Sequence, residues 1–216
     1  MKGGSSTTDA HQLFDIVLDI TKLYQTNTYI FNHFVAQILY LSNRARWYIQ
    51  LAVSFLCTIL IEPDTDDHMY LARMKNYIQV TISLPLILSK DKYRNIKWYV
   101  DAAFAVHNDT QSHTGWFMTM KKWGAYVYSI KQILSTNIST EANIVGVNDF
   151  LTQEIRAWYF LKEKGYEINE NVIYQDNESV IRLEKNSIQS SSKWKIHINI
   201  RFYLITDRIT KNETSM

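Results

Sequence analysis

A chain with one cysteine and two prolines in 216 residues lacks the material for several architectures. The single thiol, Cys57, excludes a disulfide framework and a thiolate metal cluster, and a reducing compartment suits it best. Neither sign of charge dominates: the net charge of +2 is too small to imply a polyanionic partner by itself. No long apolar run exists. The longest, Ile49 to Ile61, is interrupted by Gln50, Ser54 and Thr58 and falls short of the roughly 20 residues of a membrane helix, so it reads as a buried helix. The N-terminus, MKGGSSTTDAHQ, has no apolar core of signal-peptide type, and residues 1–27 read as a disordered lead-in to an intracellular chain without targeting signal. Without a secretory signal, the sequons at Asn108, Asn137, Asn177 and Asn212 are chance matches.

What is present is ordinary globular composition, 46% hydrophobic and 20% charged, enough for one large domain or two small ones. Residues 28–42 place Ile30, Phe31, Phe34, Val35, Ile38 and Leu39 at helical spacing and predict an amphipathic helix. Trp47 to Ile61 predicts a second, more buried one that stops before Pro63. The acidic group Asp64 to Asp67 precedes a helical stripe (Leu71, Met74, Tyr77, Ile78), so capping and macrodipole complementarity explain it better than catalysis. Thr81 to Ser89 contains Pro85 and suggests an edge strand or connector.

After the charged turn at 90–94 the period changes, which puts a domain boundary there, between a helical segment 28–90 and a second domain 95–211. Strands are predicted at 96–106, 112–120 and 125–131 on short turns, which favours an antiparallel meander. A helix with its N-cap at Ser139 or Thr140 follows and stops at Gly165. A fourth strand at 171–175, a short helix at 177–186, a polar loop at 187–192 and a helix at 196–209 complete a βββαβαα order. The class is α+β with a mixed sheet.

Three acids stand out in that order: Asp101 within the first strand, Glu141 in the first turn of the long helix, and Asp176 after the fourth strand. If the first and fourth strands are parallel neighbours, Asp101 and Asp176 face each other at the carboxyl edge and Glu141 leans over it. Clustered carboxylates repel unless a cation joins them, and all-oxygen ligation suits Mg²⁺ or Mn²⁺. Two such ions activate water and stabilise a leaving oxygen in phosphodiester cleavage. Singly, each acid has a plainer role: strand-end acid for Asp101, helix-dipole residue for Glu141, N-cap for Asp176.

From Arg182 to Lys211 seven Lys/Arg face two acids, which suits a phosphate-facing end. Lys193, Lys195, His197 and Arg201 are the candidate nucleic-acid contacts there, the plainer reading being a solvated face, and Trp194 between the lysines is placed to stack on a base. His107 and His113, beside a turn, read as surface residues rather than metal ligands.

The runs Trp98-Tyr99-Val100-Asp101-Ala102, Ser112-His113-Thr114-Gly115, Ser139-Thr140-Glu141-Ala142, Tyr174-Gln175-Asp176-Asn177 and Lys195 to Arg201 closely resemble, in order, the ribonuclease H region of copia-type LTR retrotransposon Pol polyproteins. Upstream, Ile38 to Ser42, Gln50 to Val53, Pro63 to Asp67 and Leu84 to Leu86 resemble the segment between polymerase palm and that domain. The resemblance spans residues 28–211. It implies an RNase H-like fold and metal-dependent cleavage of RNA in RNA–DNA hybrids, with Asp101, Glu141 and Asp176 matching three metal-binding acids, and an intact Pol protein as a possible partner.

The departures are as specific. No Tyr-x-Asp-Asp polymerase motif is present, and Met216 precedes the expected final strand and the helix carrying a fourth acid, which leaves the domain incomplete and one sheet edge open. Arg46-Trp47-Tyr48-Ile49 stands for Arg-Pro-Asp-Ile, Trp116 for a second glycine, Asn137-Ile138 for Lys-Ser, and Asn143 for a second glutamate. Two expectations follow: residual metal-dependent hydrolysis, or an inactive remnant that at most binds nucleic acid.

Overall fold

The computed structural model describes residues 21–85, 94–120, 124–186 and 196–216, with backbone only at 183–186 and 196–202. The lead-in expected over residues 1–27 lies outside the described residues as far as 20 and is corrected beyond it, where Lys22 bridges Asp64 and a helix begins at Gln25; the connector beyond 85 and the polar loop at 187–192 also lie outside the described residues. The chain divides into two compact units, Met1–Ile87 with Ser129–Lys131, and Leu88–Tyr128 with Gln132–Met216. None of the described helices is long and apolar enough to cross a membrane.

The first unit is helical: α1 (Gln25–Arg44), a 3-10 turn (Trp47–Ile49), α2 (Gln50–Cys57) and α3 (Thr65–Val80). Phe31, Val35 and Ile38 of α1 meet Ile49, Ala52, Val53 and Leu56, and Leu71 and Met74 of α3, in one buried cluster. Helix α1 starts three residues before the expected stretch. Helix α2 stops at Cys57, short of Ile61, where Thr58 N turns back to Phe55 O at 2.9 Å. Arg46 caps the far end of α3, its guanidinium donating to Thr81 O at 2.6 Å and Ile82 O at 2.7 Å.

The acidic group at 64–67 does what its position before a helix requires. Asp64 Oδ1 accepts from Asp66 N and Asp67 N at 2.8 and 2.9 Å, while Asp67 Oδ2 accepts from Asp64 N at 2.9 Å, a complete capping box. Burial pushes the Asp67 carboxyl up to about 6, against the pull of the Asp64 backbone N–H. Asp64→Ala is expected to cost about 1 to 2 kcal/mol in denaturant unfolding of this unit, because it strands two helix N–H groups.

The second unit carries β1 (Ile96–Ala103), β2 (His113–Thr119), β3 (Gly124–Lys131) as far as Tyr128, α4 (Ser139–Glu163), β4 (Asn171–Tyr174), α5 (Glu178–Asn186) and α6 (Ile196–Thr210). The expected element order and α+β class are what the structure has, with a four-stranded mixed sheet in the order β3-β2-β1-β4. β1 runs antiparallel to β2, with Tyr99 opposite Phe117, and parallel to β4, with Tyr99 opposite Tyr174. The alternation along β1 buries Ile96, Trp98, Val100 and Ala102 and leaves Tyr99, Asp101 and Ala103 open, the half-covered pattern of a sheet with helices on one face. Trp98 and Trp116 pack on Phe150 of α4 at ring-centroid distances of 5.6 and 5.8 Å. Tyr159 of α4 is exposed and donates to Glu213 Oε1 at 2.6 Å.

The edge beside β4 differs from the expectation of an open one. Ser215 bridges Val172 in parallel: Ile173 N donates to Ser215 O at 2.8 Å and Ser215 N to Asn171 O at 2.9 Å. Under this contact lies Glu154 of α4, 0% exposed. Asn171 Nδ2 donates to its carboxylate, while Asn171 Oδ1 accepts from Trp98 Nε1 at 3.0 Å. Burial raises Glu154 to about 7, against hydrogen bonds from Thr214 and Asn171 that favour its charged form.

Candidate functional site

The sequence-predicted acids all belong to the carboxyl ends of β1 and β4 or to the helix that links those strands. Extending the parallel register two residues past Tyr99 and Tyr174 puts Asp101 and Asp176 at corresponding places on neighbouring strand ends, both exposed. Asp101 Oδ1 accepts from the next backbone N–H, Ala102 N, at 2.7 Å. Glu141 has a local partner. Only 8% exposed, its Oε2 accepts from Asn137 N at 2.8 Å, four residues back, so it caps its own helix. The backbone N-cap is Ile138, whose side chain makes no capping bond, which leaves that work to Glu141. Asp176 is not an N-cap either. That place is taken by Asn177, whose Oδ1 accepts from Ser179 N and Val180 N at 3.0 and 3.3 Å.

Between the two strand ends sits Asn143. Buried to 5% exposure, its Oδ1 accepts from Ala102 N at 3.2 Å and from Gln175 Nε2 at 3.1 Å, and its Nδ2 donates to Ser139 O at 3.1 Å. Gln175 in turn accepts from Asp176 N at 2.8 Å and Asn177 N at 3.1 Å. One amide thus ties the end of β1, the end of β4 and the first turn of α4. The helix comes close enough because residue 146 is glycine: a Cβ there would lie 3.0 Å from Thr114 Cγ2 and 3.5 Å from the Ala102 Cβ. Gln132 fixes the same turn from the other side, donating to Thr114 Oγ1 at 2.7 Å and Ala142 O at 2.8 Å.

No group of three or more His, Cys, Asp or Glu side chains is placed to hold a metal ion among the described residues. The donor chemistry agrees. A two-ion Mg²⁺ or Mn²⁺ centre needs converging carboxylates. Here Glu141 holds Asn137 N through one oxygen, and the group between the strand ends is an amide whose Oδ1 already accepts from two donors. Of the basic candidates, Lys193 and Lys195 lie outside the described residues; His197 and Arg201 fall in α6, where only the backbone is described.

No protein-family model and no curated protein matches the chain. Among solved structures, LC11-RNase H1 in complex with an RNA/DNA hybrid is 14% identical; the match covers 56% of this chain and 81% of that one, with a TM-score of 0.38. The LC11-RNase H1 isolated from compost by a metagenomic approach is likewise 14% identical, over 57% of this chain and 81% of that one, with a TM-score of 0.41.

Asn143, read in the sequence only as a departure at a glutamate position, and Gln175, inside the Tyr174 to Asn177 run, are the site residues to which the sequence assigned no role. Helical phase was the available signal. Asn143 falls four, seven and eleven positions before Val147, Phe150 and Glu154, a row that is buried throughout, although the first turns are buried on every side, Glu141 included.

Proposed function

We propose that the 88–216 unit is a ribonuclease H-like domain of copia-type retrotransposon Pol descent that engages RNA–DNA hybrid without hydrolysing it, and that the helical unit before it corresponds to the Pol connection segment. Metal-dependent hydrolysis is the ancestral activity in this reading. The observation that carries it is the amide tie of Asn143 between Ala102 N and Gln175 Nε2, at the edge where hydrolysis needs a third carboxylate. Support for the descent comes from the ordered motif series, together with a three-strand meander joined through α4 to a parallel β4. The Mg²⁺ or Mn²⁺ of the ancestral reaction has no matching donor set at this edge.

Binding is the testable part of this function. The 182–211 segment, with its surplus of lysine and arginine, supplies the phosphate contacts in this reading, and an intact Pol protein is the expected protein partner. Fluorescence anisotropy with a labelled hybrid should show affinity that falls with salt, and the combined Lys193→Ala, Lys195→Ala and Arg201→Ala variant should have a shallower salt slope by about 2 to 3. Salt-independent or undetectable binding by the folded chain would count against a nucleic-acid partner.

A further inference from the structure

The loop between β1 and β2 and the first residue of β2 hold two histidines that the hybrid-binding reading does not use. Both are buried, His107 at 5% and His113 at 3% exposure, contrary to their expected place on the surface. Their rings face each other, with His107 Nε2 2.9 Å from His113 Nδ1 and ring centroids 5.1 Å apart.

The surrounding backbone is shaped to keep them so. Ala105 and Thr110 adopt left-handed conformations, φ 53° and 61°. Neither is glycine, and such strained residues persist only where the surrounding structure holds them. Thr110 N donates to His107 O at 2.8 Å, His107 N donates to Gln111 O at 3.2 Å, and Ala105 N donates to Ser112 Oγ at 3.2 Å. Ser112 Oγ is anchored by Thr136 Oγ1 at 3.1 Å, and His113 by its place in the β2 ladder opposite Ala103.

We propose that His107 and His113 form a two-imidazole site for a transition-metal ion of borderline softness: Zn²⁺, Co²⁺, Ni²⁺ or Cu²⁺. With no metal, one of the two facing nitrogens carries a proton and the other accepts it, so both rings aim at one point. A tetrahedral ion bound at about 2.0 to 2.1 Å from each nitrogen sets them roughly 3.3 Å apart, about 0.4 Å wider than the present 2.9 Å. A small rotation of either ring supplies that. Neutral imidazole selects these ions over Mg²⁺ and Ca²⁺, which separates the site chemically from the carboxylate edge at Asp101 and Asp176. The two nitrogens leave coordination positions open to further ligands, and the shared proton moves to the other nitrogen of the ring that held it, so that both imidazoles bind neutral.

The test uses the full chain. Zn²⁺ titration followed by NMR of the histidine side chains should move the signals of two of the six histidines, saturating at one ion per chain, while excess Mg²⁺ leaves them in place. Co²⁺ should give the visible absorption of a tetrahedral site, and His107→Gln and His113→Gln should each weaken binding at least tenfold. Absence of binding, or changes confined to His11, His33, His68 or His197, would overturn the proposal. The spectra of the unmodified protein decide it whether or not the variants fold.

Discussion

Asn143→Glu is expected to make the stability of the second unit depend on divalent ions. The new carboxylate keeps the two donors that Asn143 Oδ1 now accepts, Ala102 N and Gln175 Nε2, but loses the bond from Nδ2 to Ser139 O. It also brings a buried charge towards the strand ends that carry Asp101 and Asp176. Without a cation, like-charge repulsion and desolvation should lower stability by about 2 to 4 kcal/mol. Mn²⁺ at a hundredfold excess over its dissociation constant should restore about 2.7 kcal/mol, whereas the unmodified chain should respond little. Thermal melts with chelator and with Mn²⁺ measure this directly. A variant whose melting is indifferent to Mn²⁺ would mean that residue 143 does not face the acidic edge.

Glu154→Gln should stabilise the protein at alkaline pH and leave it almost unchanged in acid. The folded-state value of Glu154, about 7, lies above the 4.5 usual for glutamate, so between those limits the unfolded chain gives up a proton that the folded one keeps. Stability contributed by this group therefore falls as pH rises from about 4.5 to 7 and is level above. The whole span is on the order of 3 kcal/mol. Glutamine keeps the shape without titrating. The difference in unfolding free energy between Glu154→Gln and the unmodified chain should then be near zero at pH 4.5 and approach that span at pH 8. A constant difference across the range would show that Glu154 titrates normally.

Periodicity and punctuation made most of the architecture readable before any coordinates. The change from a 3.6 to a 2 residue period near residue 95, the short turns of the meander and the helix between strands three and four led to a mixed sheet. The parallel β1–β4 pair, which the sequence reading took as a condition, is present in the structure. Asp64 to Asp67 was legible because a capping box is a local pattern. The site was less so. Motif reading selects a residue type, and Glu141 is the acid, but geometry selects a helix face, and that face belongs to Asn143. Glu154 and the His107–His113 pair escaped for a different reason. Burial of a polar group is set by partners distant in the chain, such as Asn171 for Glu154, and no local pattern announces them.

The most direct measurement is cleavage of an end-labelled RNA–DNA hybrid by the folded full chain, with Mg²⁺ and with Mn²⁺, beside an Asp101→Asn variant. An edge tied by the Asn143 amide should give no metal-dependent hydrolysis in either protein, while both retain salt-sensitive hybrid binding. Hydrolysis by the unmodified chain that disappears in Asp101→Asn would contradict the account and show that the strand-end acids still form a working centre.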